Sequence, residues 1–234
     1  MTINEFSNEF DALIQSHIQK IDVGNMNPLA FDEYEKSVFL TKAQEEIVLN
    51  IYKGIGEYDT FESSEESRRL LDNLIETVEL EPSKEPSNEK IKGISNNSYF
   101  FHLPDNLMFI TYESVLYTDN SITCGKDRYI QVIPVSQDTI GKTLENPFRR
   151  NTKSRVLRLD SKDNIVELIS EYAIKKYLIR YIKVPTPIVL IELPDDLSIN
   201  KVTSVTECQL NNSLHRRILD RAVLLALASK NIHK

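Results

Sequence analysis

The apolar residues of this chain change period across residues 81–97, and that change constrains the fold more than any other feature. Before the stretch, apolar side chains recur every three or four residues; after it, they come in short β-branched and aromatic runs. The stretch itself, Glu81 to Asn97, is polar and carries Pro82, Pro86 and Gly93. It cannot bury enough apolar area to offset the entropy of ordering, so a mobile linker or long loop is expected. The whole reads as α+β, with N-terminal helices, a central mostly antiparallel β-sheet and a C-terminal amphipathic helix. The expected division is a helical region over 1–80, the linker over 81–97, and a β-rich region with the terminal helix over 98–234.

In the first region Phe6, Phe10, Leu13, Ile14, His17, Ile18 and Ile21 share one helical stripe, broken by Gly24-Asn25-Met26-Asn27-Pro28. A second helix is expected from Thr41, with Gln44 as its capping-box partner. Ala43, Ile47, Val48 and Ile51 form its apolar face, and Gly54 ends it. A third is expected from Ser63, with Glu66 in the box position and Leu70, Leu71, Leu74, Ile75 and Val78 on its buried side.

Strand patterns follow the linker. Tyr99 to Leu103 and Leu107 to Tyr117 flank Pro104-Asp105-Asn106, whose composition predicts a hairpin turn. Further strands are expected at Tyr129 to Ile133, Val156 to Leu159, Ile165 to Ile169 and Lys175 to Lys183, with a short helix from Gln137 to Leu144. After the Pro185-Thr186-Pro187 bend, Ile188 to Ile191 resumes the strand pattern. The terminal helix follows Asn211, with Leu214, Ile218, Ala222 and Leu225 on one line and Leu219, Val223 and Ala226 beside it.

Chemistry-bearing motifs are sparse. There is no G-x-G-x-x-G, no G-x-x-x-x-G-K-[ST] and no G-x-S-x-G, and six glycines leave little material for phosphate-cradling loops. Cys124 and Cys208 lack partners at metal-ligand spacing, and no two of His17, His102, His215 and His233 form an H-x-x-x-H pair. No cofactor is expected. The best enzymatic reading is a metal-dependent nuclease, built on Pro104-Asp105 with Asp160-Ser161-Lys162, or on Pro194-Asp195-Asp196. Turn chemistry accounts for all three. No run approaches the roughly 18 apolar residues of a membrane span, and the N-terminus has no signal-peptide pattern, so folding in a cytoplasm is expected.

Charge is unevenly placed. Residues 1–96 hold 20 acids against 9 bases, a balance of −11, whereas residues 142–183 hold 11 bases against 5 acids, or +6. Arg149, Arg150, Lys153 and Arg155 form a basic loop, which could meet DNA phosphates or a neighbouring protein; the plainer reading is a solvated strand edge.

Three segments carry a resemblance. Phe31 to Glu46, containing Tyr34-Glu35-Lys36-Ser37-Val38-Phe39-Leu40-Thr41-Lys42-Ala43-Gln44, is similar to a stretch of virion proteins of crAss-like phages. So are Arg180 to Leu190, around Val184-Pro185-Thr186-Pro187, and Cys208 to Val223. The resemblance implies a non-enzymatic ring subunit of a head-to-tail connector, in the neck of the virion. It further implies a portal protein and neighbouring ring or tail proteins as partners, roughly twelve-fold closure, and DNA in the lumen. One terminal helix is expected to dock on a partner, with Leu214, Arg217, Ile218, Arg221 and Leu225 as candidate residues. The linker is expected to order on assembly. The alternatives are another virion structural protein, of tail or capsid accessory type, and the nuclease.

Overall fold

The computed structural model describes residues 1–21, 30–83, 97–119, 128–194 and 196–230. Residues 84–96 of the expected linker, the break from Gly24 to Pro28, Cys124, Asp195 and His233 lie outside the described residues.

The fold is α+β. In chain order the first elements are α1 (Ile3–Ile21), α2 (Glu33–Lys53), α3 (Glu65–Leu70), a 3-10 turn (Asp72–Leu74) and β1 (Ile75–Leu80). Next come β2 (Ser98–His102), β3 (Leu107–Tyr117), β4 (Ile130–Pro134), α4 (Ile140–Glu145), β5 (Val156–Asp160) and β6 (Ile165–Ile169). The chain closes with β7 (Ile174–Lys183) and α5 (Asn212–Ser229). Two compact units result: Met1–Leu74 with Val184–Lys234, and Ile75–Lys183.

In the helical unit α5 packs against α1 and α2. Phe6, Phe10 and Ile14 of α1, Leu40, Val48 and Ile51 of α2, and Leu219, Ala222 and Val223 of α5 are buried. At Phe6, Phe10, Ile14 and Ile18 the α1 stripe expected from periodicity is therefore a core face. Phe10 and Phe39 each meet Phe31 edge-on, with ring centroids 5.8 Å apart. The helix α2 starts earlier than expected, at Glu33. Asp32 caps it by accepting the Glu35 amide, and Glu35 reaches back to the Asp32 amide, a complete capping box. Thr41 and Gln44 therefore lie inside the helix. Gly54 ends it in the left-handed region, φ 67°, as expected.

The third helix is corrected at both ends. Ser64, not Ser63, accepts the Ser67 amide, and the helix stops at Leu70. Ile75 and Val78 belong instead to β1, which pairs antiparallel with β7 from Ile75↔Ile182 to Leu80↔Tyr177. The spacing of 71, 74, 75 and 78 satisfies a helical period, but Ile75-Glu76-Thr77-Val78-Glu79-Leu80 also alternates, and Val78 and Leu80 pack on the sheet core.

The second unit is a curled seven-stranded sheet in the order β1-β7-β3-β4-β5-β6-β2. Five of its pairings are antiparallel, and β4–β5 is parallel. The expected hairpin across Pro104-Asp105-Asn106 does not form. The Leu107 amide does donate to Pro104 O, so the turn is real, but β2 pairs with β6 and β3 with β7. Phe101 on β2 is buried against Tyr177, centroids 5.2 Å apart, and the eleven-residue β3 bends through register shifts along β7. Long-range burial, and not the local turn, decides the pairing.

Both faces of the β5–β6 region are covered. Val156, Val166 and Leu168 join the main core with Val115, Tyr117 and Ile179; Leu157, Leu159 and Ile169 pack on the other face against Ile140 of α4. The short helix starts three residues later than expected, after a turn in which Thr139 N donates to Ser136 O. Ile188 to Ile191 is no sheet strand either: Val189 makes one isolated bridge with Thr206.

Candidate functional site

The basic loop before β5 is held in one conformation by its own backbone. Asn146 Oδ1 accepts the Phe148 amide at 2.9 Å, and Asn146 O accepts the amides of Arg149 and Arg150 at 3.0 and 2.9 Å. Thr152 and Arg155 exchange backbone hydrogen bonds, N to O, at 2.9 and 3.1 Å. The Arg155 guanidinium turns inward and donates to Phe148 O at 2.5 Å. Of the four cations singled out by sequence, Arg155 thus builds the loop, while Arg149, Arg150 and Lys153 are exposed. The residue that sequence reasoning missed is Phe148, which is 88% exposed at the loop's apex. Its signal was an aromatic between Pro147 and Arg149, in a segment with neither helical nor strand period.

Arg158, the first cation beyond that loop, has a different role. It donates to Glu113 Oε2 at 3.0 Å and pairs with Asp160 at 3.1 Å, while Tyr177 OH donates to the same Glu113 oxygen at 2.6 Å. Burial pushes the Glu113 carboxyl above the usual carboxylate range, against the pull of Arg158. This is a structural ion pair inside the sheet unit.

Of the acids of the nuclease reading, Asp105 and Asp196 lie in turns and Asp160 ends β5. The Leu103 amide donates to Asn164 O at 2.7 Å, which runs the Pro104-Asp105 turn beside the turn after Asp160. Asp105 is exposed and Asp160 is engaged by Arg158. Among the described residues no three His, Cys, Asp or Glu side chains form a group that could hold a metal ion. Burial raises the Cys208 thiol to about 11, and its Sγ donates to Gln44 Oε1 at 3.2 Å. No described helix is long and apolar enough to cross a membrane.

On α5, Leu214 and Ile218 are 1% and 0% exposed, within the core of their own unit. Arg217 pairs with Glu57 at 3.2 Å and lies 5.1 Å from the Tyr58 ring centroid. Arg221 binds Glu46 through two nitrogens, at 2.9 and 2.6 Å. Leu225 is half-buried, and Leu224 is the large apolar residue that α5 leaves exposed. The cations of α5 therefore tie it to the rest of the helical unit.

A shallow groove of about 330 Å³ lies along α3, lined by Glu65, Glu66, Arg69 and Leu70. Two of its four lining residues are acids, and they end a run in which Glu57, Asp59, Glu62, Glu65 and Glu66 follow one another along the chain with no base among residues 57–66. Arg69 pairs with Glu65 at 2.7 Å.

Of the segments that carried the resemblance, Phe31 to Glu46, Cys208 to Val223 and the part of the second from Val184 to Leu190 meet in the helical unit. Ser37, Thr41 and Gln44 of α2 hydrogen-bond the backbone of Leu190, Ile188 and Thr186; Cys208 contacts Gln44; Arg221 grips Glu46. These contacts join the segments into one packed substructure.

The family model described as phage tail ring protein 3/4 matches residues 1–234. Ring protein 3 of Bacteroides phage crAss001 is 45% identical to the chain over 235 residues, covering 98% of this chain and 96% of that protein. Ring protein 4/5 of the same phage is 33% identical over 237 residues, covering 98% and 93%. With a match running from end to end, the chain belongs to the phage tail ring protein 3/4 family.

Proposed function

We propose that this chain is a non-catalytic ring subunit of the head-to-tail connector in a phage virion. It stacks between the portal and the tail, around the passage through which DNA leaves the capsid. The observation that carries the reading is the full-length similarity to ring proteins, at 45% identity with one of them. A ring subunit needs lateral faces that repeat around an axis, and heterologous contacts that close. The loop carrying Phe148, Arg149, Arg150 and Lys153 in one unit, and the outer side of α5 around Leu224 and Leu225 in the other, are exposed surfaces available for such contacts. Twelve-fold closure and assembly in the host bacterial cytoplasm complete the reading.

The test is location. Reconstruction of the virion's portal vertex by electron microscopy should place copies of this chain in a closed ring in the neck. Density for it elsewhere on the tail or capsid would transfer it to another structural role.

A further inference from the structure

We propose that Phe148, flanked by Arg149 and Arg150, seats in the acidic groove of α3 on a second copy of this chain, joining subunits head-to-tail. The inference rests on the ring reading and names the contact by which the ring would close.

An aromatic side chain 88% exposed on a mobile tip would mean little, since isolated exposed apolar residues are common. Phe148 is not on a mobile tip. Three hydrogen bonds donated by backbone amides to Asn146, and one from the Arg155 guanidinium to the Phe148 carbonyl, fix the loop before any partner arrives. Little ordering entropy is then left to lose on binding, and a pre-formed aromatic beside arginines has the composition of an interface hot spot. Phosphate recognition would use Arg149, Arg150 and Lys153 but gives the phenyl ring no role, because duplex DNA offers it no exposed base face. A protein surface uses both.

Charge complementarity selects the partner. Arg149, Arg150 and Lys153 form no ion pair among the described residues. Neither does Glu66 in the α3 groove, where Leu70 supplies an apolar wall. Knob and groove are different surfaces, so each copy offers one of each. That arrangement is heterologous, the class that generates rings.

The test uses two full-length variants: a loop variant with Phe148→Ala, Arg149→Ala and Arg150→Ala, and a groove variant with Glu65→Lys and Glu66→Lys. All five positions are exposed, and circular dichroism checks that the fold is retained. Mass is read by light scattering, with and without portal protein as a nucleus. The wild type is expected to form the closed oligomer, and each variant alone to lose it, with association weakened at least tenfold. An equimolar mixture should stop at a pair of twice 27.0 kDa, because each variant keeps the half that the other lacks. Variants that assemble like the wild type would overturn this contact and leave the ring reading standing. A loop variant that keeps its oligomer but loses retention on double-stranded DNA would assign the loop to the polyanion instead. A wild type that stays monomeric in both settings would overturn the contact and the ring reading together.

Discussion

Thr41 Oγ1 accepts the Ile188 amide hydrogen at 3.0 Å and lies 3.3 Å from Ile188 O as donor, so one helix side chain satisfies both backbone groups of a residue 147 positions away. Ser37 accepts the Leu190 amide at 2.9 Å, and Gln44 donates to Thr186 O at 2.8 Å. Positions 37, 41 and 44 share a helix face, and 190, 188 and 186 are alternate residues of the segment beside it. The polar stripe of α2 thus replaces the neighbouring strand that an extended segment ordinarily requires.

Replacing Thr41 by Val keeps the shape and removes the hydroxyl, leaving the buried Ile188 amide without an acceptor. The expected loss is about 1–3 kcal/mol in urea unfolding. Thr41→Ser, which keeps the oxygen, should lose well under half of that. Equal losses for the two variants would show that the methyl group, not the hydrogen bond, matters.

Glu113 and Arg158 form an ion pair that burial makes hard to break singly. Glu113→Leu should cost about 3 kcal/mol, because Arg158 then loses its buried counter-charge and keeps Asp160, which is exposed, as its acidic partner. Adding Arg158→Met should recover most of the loss, a coupling that a double-mutant cycle measures directly. Additive losses would mean that the pair is not acting as a unit.

His215 links stability to pH. Its Nδ1 lies 2.6 Å from the Met1 ammonium, and its Nε2 lies 3.0 Å from Leu210 O, so Nε2 carries the proton and Nδ1 accepts. Burial lowers the imidazole below its ordinary 6.5, with the nearby ammonium adding to the effect. The unfolded chain therefore binds a proton that the folded chain resists. Stability falls as pH drops through 6.5 and levels off beneath the folded value. Between about pH 7.5 and about pH 5.5, the wild type should lose more thermal stability than His215→Gln. Parallel losses in the two proteins would place the pH dependence elsewhere.

Gly54 has φ 67°, and a Cβ there would stand 2.7 Å from Thr60 Cγ2 and from Thr60 N. Gly54→Ala should cost about 2 kcal/mol from the left-handed backbone and the clash together. Gly56→Ala, whose Cβ would meet nothing within 4 Å, isolates the backbone share and should cost about 1 kcal/mol. Denaturant midpoints of the two variants give the comparison.

Legibility in the sequence followed the reach of the determining interaction. The stripe of α1, the Gly54 stop and the Asn211 start of α5 are local, and the pattern shows them. The segment from Ile75 to Val78 satisfies both periods, and only the pairing with β7 decides between them. The same holds for β2, whose turn chemistry pointed to β3 while Phe101 is buried beside β6. Thr41 and Gln44 match a capping box as well as Asp32 and Glu35 do; their partners at Ile188 and Thr186 lie too far along the chain for local pattern to find. At the surface, charge composition marked Arg149, Arg150 and Lys153, but which cation folds inward and which aromatic stands out depends on the Asn146 turn.

The most direct test of the ring reading is the mass of the purified chain by light scattering, measured alone and mixed with its phage's portal protein. The expected result is a closed oligomer, or a stoichiometric complex with the portal. A 27.0 kDa monomer that ignores the portal would contradict it.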